Sequence, residues 1–113
     1  MYGLSATTNL EFIAGAQIIE LFEGDYVTIM RLSGGVEVTA DCAVSVDGRR
    51  FDDARSAGPI IRTLLRQTVQ RAFVRNHGDL VLSMGANKEI VFHDSNHDFE
   101  SYTVSSPQGT IVV

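Results

Sequence analysis

The sequence has no tryptophan, one cysteine, two prolines, and no apolar run near the length of a membrane span. A spanning helix needs about 20 consecutive apolar residues, so no membrane association is predicted. Cys42 has no second cysteine to pair with, which favours a reducing compartment. Residues 1–12 show neither the basic start nor the apolar segment of a secretory signal. These absences predict a cytoplasmic protein.

The net charge is −5, which argues against nucleic acid as a partner because nucleic-acid binders present basic surfaces. The charge is unevenly spread along the chain. Residues 1–48 carry −6, residues 49–75 carry +5 and residues 76–113 carry −4. A length of 113 residues fits one domain, with 1–9 as a loose lead-in.

The stretch from Val36 to Val46 has the clearest pattern in the chain. Apolar residues occupy every second position: Val36, Val38, Ala40, Cys42, Val44 and Val46. Because successive side chains of a strand point to opposite faces, this alternation predicts one long strand with a buried side and a polar side. At ~3.3 Å per residue it would run roughly 35 Å, so a bend or bulge is expected.

Other segments place this strand in an α+β fold. Strands at 16–22, 26–32 and 36–46 form a first three-stranded antiparallel meander, which ends at Asp47-Gly48. After a polar connection, Pro59 and the apolar stripe Ile60, Ile61, Leu64 and Leu65 predict a helix from Ala57 to Arg66 that packs on the sheet. A second antiparallel three-stranded meander follows at 68–75, 80–84 and 89–93. Short strands at 102–104 and 110–113 complete the chain, the last at a sheet edge or against a second subunit.

The two meanders resemble each other in sequence. Gly24-Asp25-Tyr26-Val27 matches Gly78-Asp79-Leu80-Val81, and Met30 matches Met84 at the same spacing. Two explanations remain open, namely an internal duplication or the glycine-rich turns that any two meanders share.

No catalytic signature stands out. His93-Asp94-x-x-His97-Asp98 could share a metal on a helix, but the surrounding turn residues favour a solvated loop, unless His77 folds nearby as a third ligand. Asp52-Asp53 just before the helix are typical of caps. No serine or cysteine lies in a recognisable nucleophile motif, and no glycine loop precedes a helix. The sequence predicts a protein that is not an enzyme and has no cofactor or metal.

Acidic residues are the remaining candidates. With the apolar face of the long strand covered by the helix, Glu37, Asp41 and Asp47 would all point outward. The second acidic block adds Asp94, Asp98 and Glu100. These six side chains form either a solvated surface or a docking face for a basic partner.

The chain resembles a small bacterial domain family of unknown function that is often encoded near polymorphic toxins. The resembling segments are I-I-E-L-F-E-G-D-Y-V-T-I-M-R-L-S-G-G-V-E-V, L-L-R-Q-T-V-Q-R-A-F-V-R-N-H-G-D-L-V-L-S-M-G and D-F-E-S-Y-T-V-S-S-P-Q-G. The late motif is Asp98-Phe99-Glu100-Ser101-Tyr102, with tyrosine where the family often has tryptophan. The resemblance covers about residues 16–112 and implies an immunity protein that binds and blocks a toxin.

Three hypotheses follow. The first is a non-enzymatic immunity or inhibitor protein that binds a basic toxin domain through its acidic surface. The second is a small-ligand-binding or regulatory domain, dimeric through the 110–113 edge. The third, a hydrolase or metalloenzyme, requires His77, His93 or His97 to meet a carboxylate in a pocket.

Overall fold

Two five-stranded antiparallel sheets hold most of the regular secondary structure among the described residues. The computed structural model describes residues 10–24, 27–75, 78–85, 88–94, 102–107 and 109–112. Within them the strands are β1 (Ile18–Glu23), β2 (Thr28–Leu32), β3 (Val36–Ala40), β4 (Val44–Val46), β5 (Arg49–Phe51), β6 (Arg71–Arg75), β7 (Asp79–Ser83), β8 (Glu89–Phe92), β9 (Tyr102–Ser106) and β10 (Gly109–Val112). Sheet A has the order β1-β2-β3-β9-β10, and sheet B the order β5-β4-β8-β7-β6. A 3-10 turn (Glu11–Ile13) precedes β1, and one short helix, α1 (Gly58–Arg62), lies between β5 and β6.

The predicted α+β class is wrong, although antiparallel sheet structure is confirmed. The strands of both meanders are present as β1-β2-β3 and β6-β7-β8. Each meander extends into a five-stranded sheet, and the inner residues of both sheets share one buried apolar cluster. The layer opposite each sheet is therefore the other sheet rather than a helix.

The stretch 36–46 is two strands in different sheets. Its first part, β3, pairs with β2 and β9 in sheet A, and its last part, β4, pairs with β5 and β8 in sheet B. The chain turns between them at residues 41–43. All six alternating apolar residues are buried, with exposures of 0–5%. The buried side is thus as predicted, although Ala43 on the other side is buried too at 3% exposure. The expected bend is a full change of sheet, as occurs at the corners of packed sheets.

The helix is shorter than the predicted Ala57 to Arg66. After α1 the chain continues as a turn that ends at Arg66, whose φ of 74° stops helical propagation. Residues 66–69 then run antiparallel to 15–18, with Gln67 O accepting from Ile18 N at 3.0 Å. This segment covers part of the free edge of β1. The apolar stripe before it packs into the core that both sheets share, with Ile61 and Leu64 buried there.

Asp47-Gly48 is a hairpin turn and does not end the sheet. Both residues have positive φ, 51° and 85°, and β4 and β5 pair on either side of them. An Asp-Gly turn of this kind suits a two-residue hairpin because glycine tolerates the left-handed region. The polar connection predicted from Arg49 therefore begins as an edge strand of sheet B.

The two halves of the chain repeat one topology. Each half contributes a three-stranded meander to one sheet and the following hairpin to the other sheet. The hairpin β4-β5 joins β8 of the second meander, and β9-β10 joins β3 of the first. The halves are thereby interlocked through two crossing connections.

We expect Tyr102→Phe to destabilise the protein. The Tyr102 hydroxyl is buried and donates to Gly78 O at 2.6 Å, which ties sheet A to the start of β7. Removing it leaves a buried carbonyl without that donor, at a cost of about 1–3 kcal/mol in the free energy of unfolding. Urea denaturation measures the change. An unchanged midpoint would mean that this hydrogen bond contributes nothing.

Candidate functional site

The outer face of sheet A presents two rows of side chains. The first row is Glu20, Arg31 and Glu37, and the second is Phe22, Ile29 and Thr39. Leu21 and Met30, between these positions, point inward and are buried. A register shift between Ile18 and Glu20 sets this phase, so that Ile18 and Leu21 are buried while Phe22 faces outward.

Apolar surface and charge are mixed on this face. Ile19 and Phe22 are 53% and 56% exposed, and they are the exposed large hydrophobic residues in the described part of the chain. Arg31 lies between two carboxylates, with its Nη1 3.3 Å from Glu20 and its Nε 2.8 Å from Glu37. A hollow of about 270 Å³, bordered by Ile19, Arg31 and Glu37, opens beside the β2–β3 turn. Large aromatic residues with a charged surround are typical of protein-binding surfaces.

Burial and nearby carboxylates shift the pKa of two buried groups, Cys42 in the turn between β3 and β4 and Tyr102 in β9. The pKa of the Cys42 thiol is raised from 9.0 to about 12, chiefly by burial and then by the charge of Asp41, with smaller contributions from Asp79 and Asp94, whereas the hydrogen bond with the His93 backbone opposes the shift. Burial also raises the pKa of Tyr102 above its usual range, with Asp94 and Asp79 again contributing. The thiol and the phenol are therefore held in their neutral forms.

Three polar side chains form a hydrogen-bonded line on the outer face of sheet B. Ser45 Oγ is 2.8 Å from His93 Nε2, and His93 Nδ1 is 3.0 Å from Asp79 Oδ2. The Asp94 backbone N–H donates to the other oxygen of Asp79 at 2.9 Å. The side chains of His93 and Asp79 are 18% and 15% exposed, and Ser45 is half-buried. We call this set the Ser45–His93–Asp79 relay.

A cavity of about 320 Å³ lies at the end of sheet A near the β1–β2 turn. Its lining includes Thr28 and Ala40 from the sheet, together with Asp41, Asp53 and Arg55. Two carboxylates and one guanidinium at the mouth suit a small polar ligand that carries a positive charge.

The predicted acidic residues do not form one row. Glu37 lies on the outer face of sheet A, and Asp41 is exposed at the turn that follows β3. Asp47 accepts from Glu89 N at 2.8 Å at one end of β8, whereas Asp94 follows the other end. Asp98 and Glu100 lie outside the described residues. The expectation that one strand displays Glu37, Asp41 and Asp47 together is wrong because the strand changes sheets at 41–43, and their binding role stays a prediction.

The other sequence candidates have simple explanations where the structure describes them. Asp53 Oδ1 accepts from Ser56 N at 2.8 Å, which is a local turn cap. Of the three histidines, His77 and His97 lie outside the described residues. Among the residues that are described, no group of three potential metal ligands comes together. Likewise, no helix in the described segments has the length and apolar character to cross a membrane.

Sequence reasoning singled out His93, which does meet a carboxylate. It missed Phe22 and the other two relay residues, Ser45 and Asp79. Four of the five residues Ile18, Ile19, Glu20, Leu21 and Phe22 are apolar, so no alternation identifies the exposed pair. The relay residues are far apart in the chain, and only the pairing of β4 with β8 and of β8 with β7 brings them together. The sequence does carry one signal for Asp79, which follows Gly78 and begins an apolar strand.

The chain matches no protein-family model, no curated protein and no solved structure. The resemblance to a toxin-associated family therefore stays a prediction.

We expect Cys42 to be inert toward alkylation in the folded protein. It is 5% exposed, and a rise in pKa from 9.0 to about 12 leaves roughly 1000-fold less thiolate at pH 8. Iodoacetamide at pH 8, followed by mass spectrometry, should modify the protein in urea within minutes and leave the native protein unmodified. Rapid native modification would contradict the burial of this thiol.

Proposed function

We propose that this protein binds a basic protein partner, as an immunity or inhibitor protein binds its toxin, and that it docks through the outer face of sheet A. The observation that carries the proposal is the exposure of Phe22 on the same sheet face as the carboxylates Glu20 and Glu37. An exposed aromatic can enter a pocket of the partner, while the surrounding charges fix orientation.

Charge supports a basic partner. The chain carries −5 overall, and on this face two carboxylates flank one guanidinium. Asp41, exposed at the end of β3, extends the acidic character toward the turn between the sheets. Such charges speed encounter and reject acidic competitors more than they add affinity.

The test is co-purification with the product of the adjacent gene, repeated at rising salt. We expect a complex whose affinity falls as salt increases, because screening weakens the attraction between exposed charges. Glu37→Gln should weaken the complex further than Asp47→Asn, since Asp47 lies on sheet B. No complex would refute the proposal, and a complex indifferent to salt would refute its electrostatic part.

A small-ligand-binding or regulatory domain is the second candidate, favoured by the cavity beside Asp41 and Asp53. Thermal shift measurements with small amines and guanidines test it, and Asp53→Asn should abolish any stabilisation that the native protein shows. Light scattering tests the dimer that was predicted through the C-terminal edge, where β10 pairs with β9 on one side.

A further inference from the structure

Ser45, His93 and Asp79 have the connectivity of an activated serine. Ser45 and Asp79 lie in β4 and β7, His93 directly follows β8, the strand between them, and all three share the face of sheet B opposite the core. The serine contacts one nitrogen of the imidazole at 2.8 Å, and the carboxylate contacts the other at 3.0 Å. Such a triad is recognised by this geometry and not by sequence order or fold.

The carboxylate sets the tautomer of the ring. Ionised Asp79 only accepts hydrogen bonds, so Nδ1 of His93 carries the proton and donates it to Oδ2. In this neutral tautomer Nε2 carries a lone pair and accepts a hydrogen bond from the Ser45 hydroxyl, whose Oγ is 2.8 Å away. A histidine in this state is the general base that a weak serine nucleophile requires.

The surroundings hold the relay in place. Backbone N–H groups hold His93 and Asp79 in position. His93 N donates to Ala43 O at 3.0 Å, and Asp94 N donates to Asp79 Oδ1 at 2.9 Å. His93 and Asp79 are mostly shielded from water but not sealed.

Val81 and Val91, the neighbours of Ser45 on this face, are buried. Ser45 is half-buried, whereas Arg50 on the edge strand is exposed. A substrate carbonyl would therefore reach Ser45 from the side of β5.

A cation lies next to the serine. Arg50 is paired directly with Ser45 across β4 and β5, and it is exposed on the same face. Cross-strand neighbours have Cβ atoms about 4.5–5.5 Å apart, within reach of a long arginine side chain. Its guanidinium can oppose negative charge that develops on a substrate oxygen.

We propose that Ser45 is the nucleophile of a hydrolytic site for carboxylic esters. Ser45 Oγ forms a bond to the carbonyl carbon as its proton passes to His93 Nε2. The C–O bond of the ester then breaks, and the departing alcohol takes that proton. Water attacks the acyl-serine with His93 again as base, which releases the carboxylic acid and restores Ser45. Asp79 acts as a positioning residue.

This site is independent of the proposed docking face. It lies on sheet B, whereas Phe22 and Glu37 lie on sheet A. Loss of partner binding leaves the reactivity of Ser45 untouched, and absence of reactivity leaves the docking proposal standing.

A fluorophosphonate probe tests the nucleophile directly, because attack by serine displaces fluoride and leaves a stable adduct. The full chain should acquire one adduct, located at Ser45 by tandem mass spectrometry. Ser45→Ala should remove it, and His93→Gln should slow labelling at least about 100-fold, as loss of the base does in triads. Asp79→Asn should also slow labelling while the protein stays folded by circular dichroism.

Ser83→Ala is the matched control, since Ser83 is a half-buried serine at the end of β7 in the same sheet. It should label at the native rate. The proposal is overturned if no adduct forms at Ser45, or if a folded His93→Gln variant labels as fast as the native protein. It is also overturned if p-nitrophenyl acetate leaves an acyl group on Ser45 that water does not release.

Discussion

Val38→Asp should leave the chain unfolded in water. Val38 is 0% exposed at the centre of the inner row of sheet A, where its neighbours across the strands are Met30 and Val104. An unpaired carboxylate there costs several kcal/mol, comparable with the whole stability of a domain, which is about 5–15 kcal/mol. Far-UV circular dichroism and urea denaturation at neutral pH measure the loss.

Thr39→Asp is the matched control, because it places the same charge one residue along the same strand. Thr39 is half-buried on the outer face, so its side chain can reach solvent. This variant should stay folded and lose no more than about 1 kcal/mol. Similar behaviour of the two variants would contradict the assignment of the two faces of β3.

Phe22→Ala should have the largest effect on partner binding. The ring is 56% exposed and pairs with Ile29 on the outer face of sheet A. Truncation of a central aromatic at an interface typically costs 2 kcal/mol or more, about a 30-fold rise in Kd or greater. Isothermal titration calorimetry with the product of the adjacent gene gives the Kd, and the stability of the variant is measured in parallel.

Phe73→Ala serves as its control. Phe73 is a half-buried aromatic on the outer face of sheet B, where Arg71 stacks on it with 5.0 Å between the guanidinium carbon and the ring centre. Its loss should leave the Kd unchanged. If Phe73→Ala weakens the complex and Phe22→Ala does not, docking occurs on sheet B and the proposed face is wrong.

Local pattern was enough to predict the strands of both meanders and the buried side of 36–46, but it missed β5 and did not predict how the strands divide between two sheets. The apolar residues at even positions stay buried from 36 to 46 although the chain leaves one sheet for the other, because both sheets turn that side of the chain toward the shared core. At the crossing Ala43, on the other side, is buried as well. The alternation of apolar and polar residues therefore predicts which side of the chain is buried, but it does not predict which strands pair.

Two local sequence signals, a turn and a helical stripe, were misinterpreted for related reasons. Asp47-Gly48 is a strong hairpin signal, but the charged Arg49 and Arg50 after it do not resemble a strand because they lie at an exposed edge. The stripe from Ile60 to Leu65 fits a helix, yet Arg66 turns back to pair with Ile18. In both places tertiary pairing overrides local propensity.

The candidate sites were less accessible to sequence reasoning than the fold. Glu37 could be placed on an outward face from alternation alone, and it does lie there. The exposure of Phe22 depends on a shift of register in β1, and no residue type in that segment predicts such a shift. The contact of Ser45 with His93 spans 48 positions and exists only because a hairpin from one half joins the meander of the other.

Cross-strand nuclear Overhauser effects on labelled protein test most directly whether the stretch 36–46 divides between two facing sheets. The structure predicts contacts of Val38 with Val104 and of Val44 with Phe92, which are paired positions in sheets A and B. Continuous contacts from the whole of 36–46 to a single partner strand would contradict the two-sheet arrangement. They would also contradict the outer faces of sheets A and B on which the two proposed sites lie.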